Sequence, residues 1–105
     1  MPRLSVGSEE IELDDHGFMR QPERWNDAIA AALAAALGVA ELTAEHWKVV
    51  RYLRQHYLDF GVPPMIRKLC KHTGLPLKRI FELFPAGPAA GACKVAGLPN
   101  ANGCV

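Results

Sequence analysis

Cys93 and Cys104 are the two nucleophiles placed to work together in this 105-residue chain, and Cys104 is the second-to-last residue. A thiolate attacks disulfides, persulfides and other electrophilic sulfur, and a second thiol within reach resolves the product by attacking in turn. Cys104 follows Cys93 by eleven positions. Fully extended, such an interval spans at most about 36–40 Å. Folded back, it lets the two sulfurs meet, at a closure entropy that grows only slowly with loop length. Gly103 keeps the backbone slim beside Cys104, so the tip fits a narrow cleft. The carboxylate of Val105 disfavours a thiolate at Cys104, whereas Lys94 adjoins Cys93. Cys93 is therefore expected to be the better-activated thiol, with Cys104 dependent on a partner's electropositive pocket.

Cys70, the third cysteine, lies between Leu69 and Lys71 on the apolar side of a short helix and is expected in the core. Cys70 and His72 supply only two of the four ligands of a zinc site, and His16, His46 and His56 add no ligand spacing. No metal and no cofactor are expected. The chain shows no Gly-rich phosphate loop, no Ser/His/Asp order and no paired carboxylates in an apolar setting. No composed catalytic site of its own is therefore expected.

Charge is the second resource. Residues 1–60 hold ten of the eleven acids and six of the twelve Lys/Arg, a net −4; residues 61–105 hold Glu82 and six Lys/Arg, a net +5. No acid lies between Gly61 and Phe81, but Arg67, Lys68, Lys71, Lys78 and Arg79 do, and Lys94 follows. These six are candidate partner- or anion-binding residues, for an acidic protein surface or for nucleic-acid phosphates; the alternative is a solvated face. No side chains stand out as base readers, which counts against specific DNA binding.

The elements that must present these groups are mostly helical. Leu4 to Leu13 alternates apolar and polar residues around Gly7-Ser8, a β-hairpin pattern, and Asp14-Asp15-His16-Gly17 is a second turn. From Pro22 a helix is predicted, with Trp25, Ile29, Leu33 and Leu37 on one face and Gly38 as its stop. Thr43 caps a second helix carrying Trp47, Val50, Leu53 or Arg54, Tyr57 and Phe60, which ends at Gly61. Pro63-Pro64 opens a third, closed by Gly74, and Pro76 a fourth, closed by Pro85; with the basic residues, these two fit a helix-turn-helix. Pro88 to Ala96 reads as a short helix of small residues, and Gly97 to Val105 as a mobile arm.

The fold class is thus mostly α (α+β), a single domain: a hairpin region over 1–20, a helical core over 21–84 and a cysteine arm over 85–105. Trp25, Trp47, Tyr57, Phe60, Phe81 and Phe84 are expected to pack the core of a monomer. The composition, half apolar and 22% charged, excludes wholesale disorder. The most apolar run, Ala28 to Ala40, falls short of the roughly 20 residues that span a bilayer. The first thirty residues lack a basic-then-apolar leader, and an odd cysteine count is not a secreted disulfide framework. A cytoplasmic protein without membrane insertion, its thiols reduced at rest, is expected.

Several segments resemble the DsrC/TusE sulfur-relay family. They are Leu13-Asp-Asp-His-Gly-Phe18, Trp25-Asn with Ile29-Ala, Glu41-Leu-Thr-Ala-Glu-His-Trp-Lys-Val-Val-Arg-Tyr-Leu-Arg54 and Phe60-Gly-Val-Pro-Pro64. Leu83-Phe-Pro-Ala-Gly-Pro88, Ala92-Cys-Lys-Val-Ala-Gly-Leu-Pro99 and the ending Gly103-Cys-Val105 complete the likeness, which covers nearly the whole chain. The resemblance implies a small helical bundle with an N-terminal hairpin and a mobile C-terminal arm. It implies that Cys104 carries sulfur as a persulfide and that Cys93 matches the second arm cysteine of DsrC members, which TusE members, acting in tRNA wobble-uridine thiolation, typically lack. The implied partners are the dissimilatory sulfite reductase DsrAB, a membrane-bound reducing complex of the DsrMKJOP type, and a sulfurtransferase of the DsrEFH/TusBCD type. Sulfur from sulfite would bridge Cys93 and Cys104 as a trisulfide. Two departures stand out. Asn100, Ala101 and Asn102 occupy the stretch where many relatives carry a basic residue and a second proline, implying a looser arm with a larger entropic cost on docking. Lys94 stands where arginine is common, replacing a bidentate contact with a point charge.

Overall fold

The computed structural model describes residues 3–99. Strands β1 (Arg3–Val6) and β2 (Glu9–Glu12) pair antiparallel through the Gly7-Ser8 turn, with Leu4 opposite Ile11. Leu4, Val6 and Ile11 lie against a small apolar cluster with Met19, Ile29 and Leu33, which seats the hairpin on the first helix. The following loop is closed by Asp14, whose Oδ1 accepts from the backbone N–H of His16 (2.8 Å) and of Phe18 (3.0 Å).

The helix predicted from Pro22 is divided. Pro22–Arg24 forms one 3₁₀ turn, Trp25 is extended (φ −63°, ψ 141°), and helix α1 begins only at Asp27 and runs to Ala36. Asn26 is the cause: its Oδ1 accepts from Ile29 N–H at 2.9 Å, satisfying one of the N–H groups that a helix start leaves orphaned. Trp25 is thereby free of the helix and turns toward the C-terminal segment. Gly38 ends α1 as expected, in the left-handed region, with Val39 N–H on Ala34 O at 2.8 Å.

Helix α2 (Ala44–Phe60) starts after Thr43 and stops at the left-handed Gly61, both as the sequence indicates. It buries His46, Val49, Val50, Leu53 and His56. Helices α3 (Ile66–Thr73) and α4 (Leu77–Leu83) are joined by Gly74-Leu75-Pro76. Phe60 and Phe81, expected in the core, are instead 64% and 47% exposed. Phe60 is the last residue of α2 and overhangs its end, resting on the His56 ring (4.7 Å) with the Lys68 ammonium 5.1 Å from its own ring. Trp25, Trp47 and Tyr57 flank the core half-buried, and Phe84 is fully buried. None of the described helices is long and apolar enough to cross a membrane.

Candidate functional site

The segment after Pro85, expected as an arm, belongs to the core through Leu98. A π-helical turn at Pro88–Ala92 leads into the short helix α5 (Cys93–Val95), matching the predicted helix of small residues. Small size is what lets it pack: a Cβ on Gly91 would come within 3.1 Å of Phe84 Cβ, and one on Gly87 within 2.9 Å of the Phe81 ring. Ala92, Cys93, Val95, Ala96 and Leu98 are all buried. The rest of the expected arm, residues 100–105 with Cys104, lies outside the described residues.

Helix α5 ends in a Schellman motif with Cys93 inside it. Gly97 N–H bonds to Lys94 O (3.0 Å), and Leu98 N–H to Cys93 O (3.1 Å), with Gly97 at φ 73°. Buried Cys93 and Leu98 occupy the two positions whose apolar contact usually accompanies this motif. Among the described residues the carbonyls of Val95, Ala96 and Gly97 have no backbone donor, and they belong to buried residues, where an unmet carbonyl costs about 1–3 kcal/mol. Two side chains from distant elements supply the donors. Trp25 Nε1–H donates to Val95 O at 2.8 Å. Arg54 Nη1 donates to Ala96 O and Gly97 O, both at 3.3 Å, and its Nη2 to Pro22 O at 2.7 Å.

The clamp is internally braced. The Arg54 guanidinium lies 4.9 Å from the centre of the Trp25 ring, a cation–π contact that fixes both planes. Gly97 lies so close to the indole that a Cβ there would overlap Trp25 Cδ1. Burial lowers the Arg54 pKa from its ordinary value, while Tyr57 and Glu23 act to raise it; a guanidinium stays charged throughout. A fixed cation against the carbonyl end of a helix also suits the helix dipole.

Lys94, next to Cys93 in the chain, has its Nζ 5.2 Å from the Phe18 ring centre, against Gly17 of the hairpin loop. The Cys93 side chain lies within the core, only 2% exposed, so its chemistry requires the structure around it to open. Cys70 is half-buried at the edge of the main core on α3.

Of the candidate anion-binding residues, Arg67, Lys68 and Lys71 share α3 and are exposed, as is Lys78 on α4. Arg79 is committed elsewhere: Nη2 meets Glu45 Oε1 at 2.5 Å and Nη1 meets Glu82 Oε1 at 3.3 Å. Its hydrogen bond with Glu45 raises the guanidinium's pKa and holds the Glu45 carboxyl below the usual carboxylate range. Lys94 stands apart on α5. Among the described residues, no three His, Cys, Asp or Glu side chains form a cluster able to hold a metal ion.

Sequence patterning misses Arg54 and Trp25 as a pair, and misses His46. His46 Nε2 donates to Leu83 O (2.9 Å) and its Nδ1 accepts from Thr43 N–H (3.0 Å), which ties α2 to the end of α4 just before the cysteine segment. The available signal is a cation at a position also assigned to the apolar face of α2, which implies buried acceptors.

A family model described as "DsrC like protein" matches residues 5–105. The chain belongs to the DsrC family. It is 36% identical over 105 residues, the full length of both chains, to the dissimilatory-type sulfite reductase subunit gamma of Nitratidesulfovibrio vulgaris. It is 40% identical over 109 aligned positions to the sulfurtransferase TusE of Salmonella paratyphi A, covering 97% of this chain and 99% of that one. Among solved structures, the oxidized DsrC gamma-subunit of the dissimilatory sulfite reductase from Archaeoglobus fulgidus superposes with a TM-score of 0.92 at 42% identity, covering 99% of this chain and all of that one. The hairpin and helical bundle implied by the resemblance are those of the DsrC fold.

Proposed function

We infer that this DsrC-family chain is a sulfur carrier whose Cys104 takes up sulfur and whose Cys93 resolves it by bridging to Cys104. The observation that carries the reading is the clamped helix end: Cys93 sits in a turn fixed by Trp25 and Arg54, and Pro99 directly follows that turn. From Pro99 the five residues to Cys104 reach at most about 18 Å, so the terminal thiol stays tethered near Cys93. In uptake, the Cys104 thiolate attacks the outer sulfur of a donor persulfide; a new S–S bond forms and the donor leaves as its thiolate. Where sulfite is the source, two electrons from the reductase and two from the Cys104 and Cys93 thiols reduce its sulfur, its three oxygens leave as water, and the sulfur bridges the two cysteines as a trisulfide. A reducing complex then cleaves both S–S bonds, returning two thiols and releasing hydrogen sulfide.

Partners follow from this chemistry. The gamma-subunit relatives support a dissimilatory sulfite reductase as one partner, with a membrane-bound reducing complex downstream; the TusE relatives support a sulfurtransferase as donor. Arg67, Lys68, Lys71 and Lys78 provide a basic surface for acidic faces on such partners. A TusE-type relay toward tRNA thiolation is the second reading, favoured by the 40% identity to TusE. Intact-mass spectrometry separates the two. After incubation with sulfite and reductase, the chain should gain the mass of one sulfur atom over its disulfide form, and lose that species in both Cys93→Ser and Cys104→Ser. A gain that survives Cys104→Ser overturns the carrier reading. A relay that proceeds unchanged in Cys93→Ser selects the TusE-type role.

A further inference from the structure

We propose that Arg54 and Trp25 are positioning residues that gate Cys93, holding its sulfur out of reach while the turn at residues 96–99 is shut and releasing it when the turn opens. The inference rests on the carrier reading above but is independent of any partner. Cys93 is 2% exposed, yet a sulfur-transfer thiol must meet another sulfur at bonding distance. The turn that follows it, whose Leu98 shares its apolar cluster, is held by two different sets of contacts.

One set is local. The Leu98 N–H to Cys93 O bond and the Gly97 N–H to Lys94 O bond belong to the Schellman turn and re-form whenever the backbone returns. The other set is long-range: Trp25 Nε1–H on Val95 O, and Arg54 on Ala96 O and Gly97 O. Arg54 also holds Pro22 O, so a single guanidinium joins the C-terminal turn to the turn that carries Trp25. Opening residues 96–99 breaks the long-range set and exposes carbonyls to water, which hydrates them. Opening also lifts Ala96 and Leu98 out of the apolar cluster they share with α1 and α2, but it leaves the packing between those two helices in place, so its cost stays below that of global unfolding.

The experiment is thiol labelling of the reduced full-length chain with iodoacetamide, resolved to individual cysteines by peptide mass mapping, at several sub-denaturing urea concentrations. In the native chain, Cys93 should react slowly, with a rate that depends on urea much less steeply than global unfolding does. Trp25→Phe removes one donor, and Arg54→Gln the charge-assisted bonds. Each should speed Cys93 labelling by about tenfold or more, equivalent to about 1.4 kcal/mol of opening free energy. Arg54→Lys should recover part of the protection, because a point charge replaces the fork. Labelling at half-buried Cys70 should stay within about twofold, which excludes general loosening. The proposal is overturned if Cys93 labelling follows global unfolding with the same urea slope, or if the variants alter it only in proportion to their global stability. It is also overturned if native Cys93 reacts at the rate of an open thiol. Labelling reports the turn whether or not sulfur is ever loaded, so these failures stay distinct from failure of the carrier reading.

Discussion

Gly97→Ala tests how tightly the clamp is built. Gly97 sits at φ 73°, where a non-glycine residue is strained by about 1–2 kcal/mol. Its new Cβ would also overlap Trp25 Cδ1 and fall 2.5 Å from Cγ, so the indole must move. Moving it breaks the Trp25 Nε1–H bond to Val95 O and lifts the ring from Arg54, stranding a buried carbonyl at about 1–3 kcal/mol. The expected loss is about 2–5 kcal/mol, the sum of the strain and the stranded carbonyl. Gly38 supplies the control, because it has φ 85° and a Cβ added there would meet nothing within 4 Å. Gly38→Ala carries the backbone strain alone, about 1–2 kcal/mol. Urea unfolding, followed by tryptophan fluorescence and by circular dichroism, should place the Gly97→Ala midpoint well below that of Gly38→Ala with similar slopes. Equal losses for the two variants would refute the steric reasoning and with it the tight seating of the turn on Trp25.

Two other outcomes are expected. Glu45 is held below the usual carboxylate range by its hydrogen bond to Arg79, so its contribution is present near neutrality and fades as pH falls through the lowered value. The difference in Tm between the native chain and Glu45→Gln should therefore be larger at about pH 7 than at about pH 3; a difference that grows on acidification contradicts the pairing. His46→Ala removes the donor to Leu83 O and the acceptor for Thr43 N–H, and it empties a buried ring site beside Phe84. It should cost about 2–4 kcal/mol in chemical denaturation, and a loss under about 1 kcal/mol would show that α2 and α4 are tied by other contacts.

Much of this architecture follows rules local enough to be legible in the residues. The cap at Thr43, the left-handed stops at Gly38, Gly61 and Gly74, and the Gly7-Ser8 hairpin each depend on a few adjacent positions. The misreadings have non-local causes. His46 and Arg54 find their acceptors 32 to 43 positions away, so nothing beside them announces a buried polar role. Phe60 and Phe81 have the spacing of core residues, but spacing does not reveal whether another element covers that face. The cysteine segment reads as an arm because glycine, alanine and proline carry no hydrophobic period. Close backbone approach packs it instead, visible only as the short distances from Gly87, Gly91 and Gly97 to their neighbours.

The candidate site is legible in a different sense. Two thiols and their spacing can be read at once, and with them the chemistry of attack and resolution. Depth cannot: the sequence puts Cys93 at the base of an arm, whereas the core encloses it, which turns its reactivity into a question of local opening.

The most direct measurement is the location of the transferred sulfur. The native chain is loaded from a persulfide donor, its persulfides are trapped with an alkylating reagent, and the extra sulfur is assigned by peptide mass mapping. It should be found on the peptide ending Gly103-Cys104-Val105, with Cys93 bearing sulfur only in species bridged to Cys104. Extra sulfur on Cys70 alone, or on Cys93 with Cys104 unmodified, would contradict the carrier role assigned to the terminal thiol.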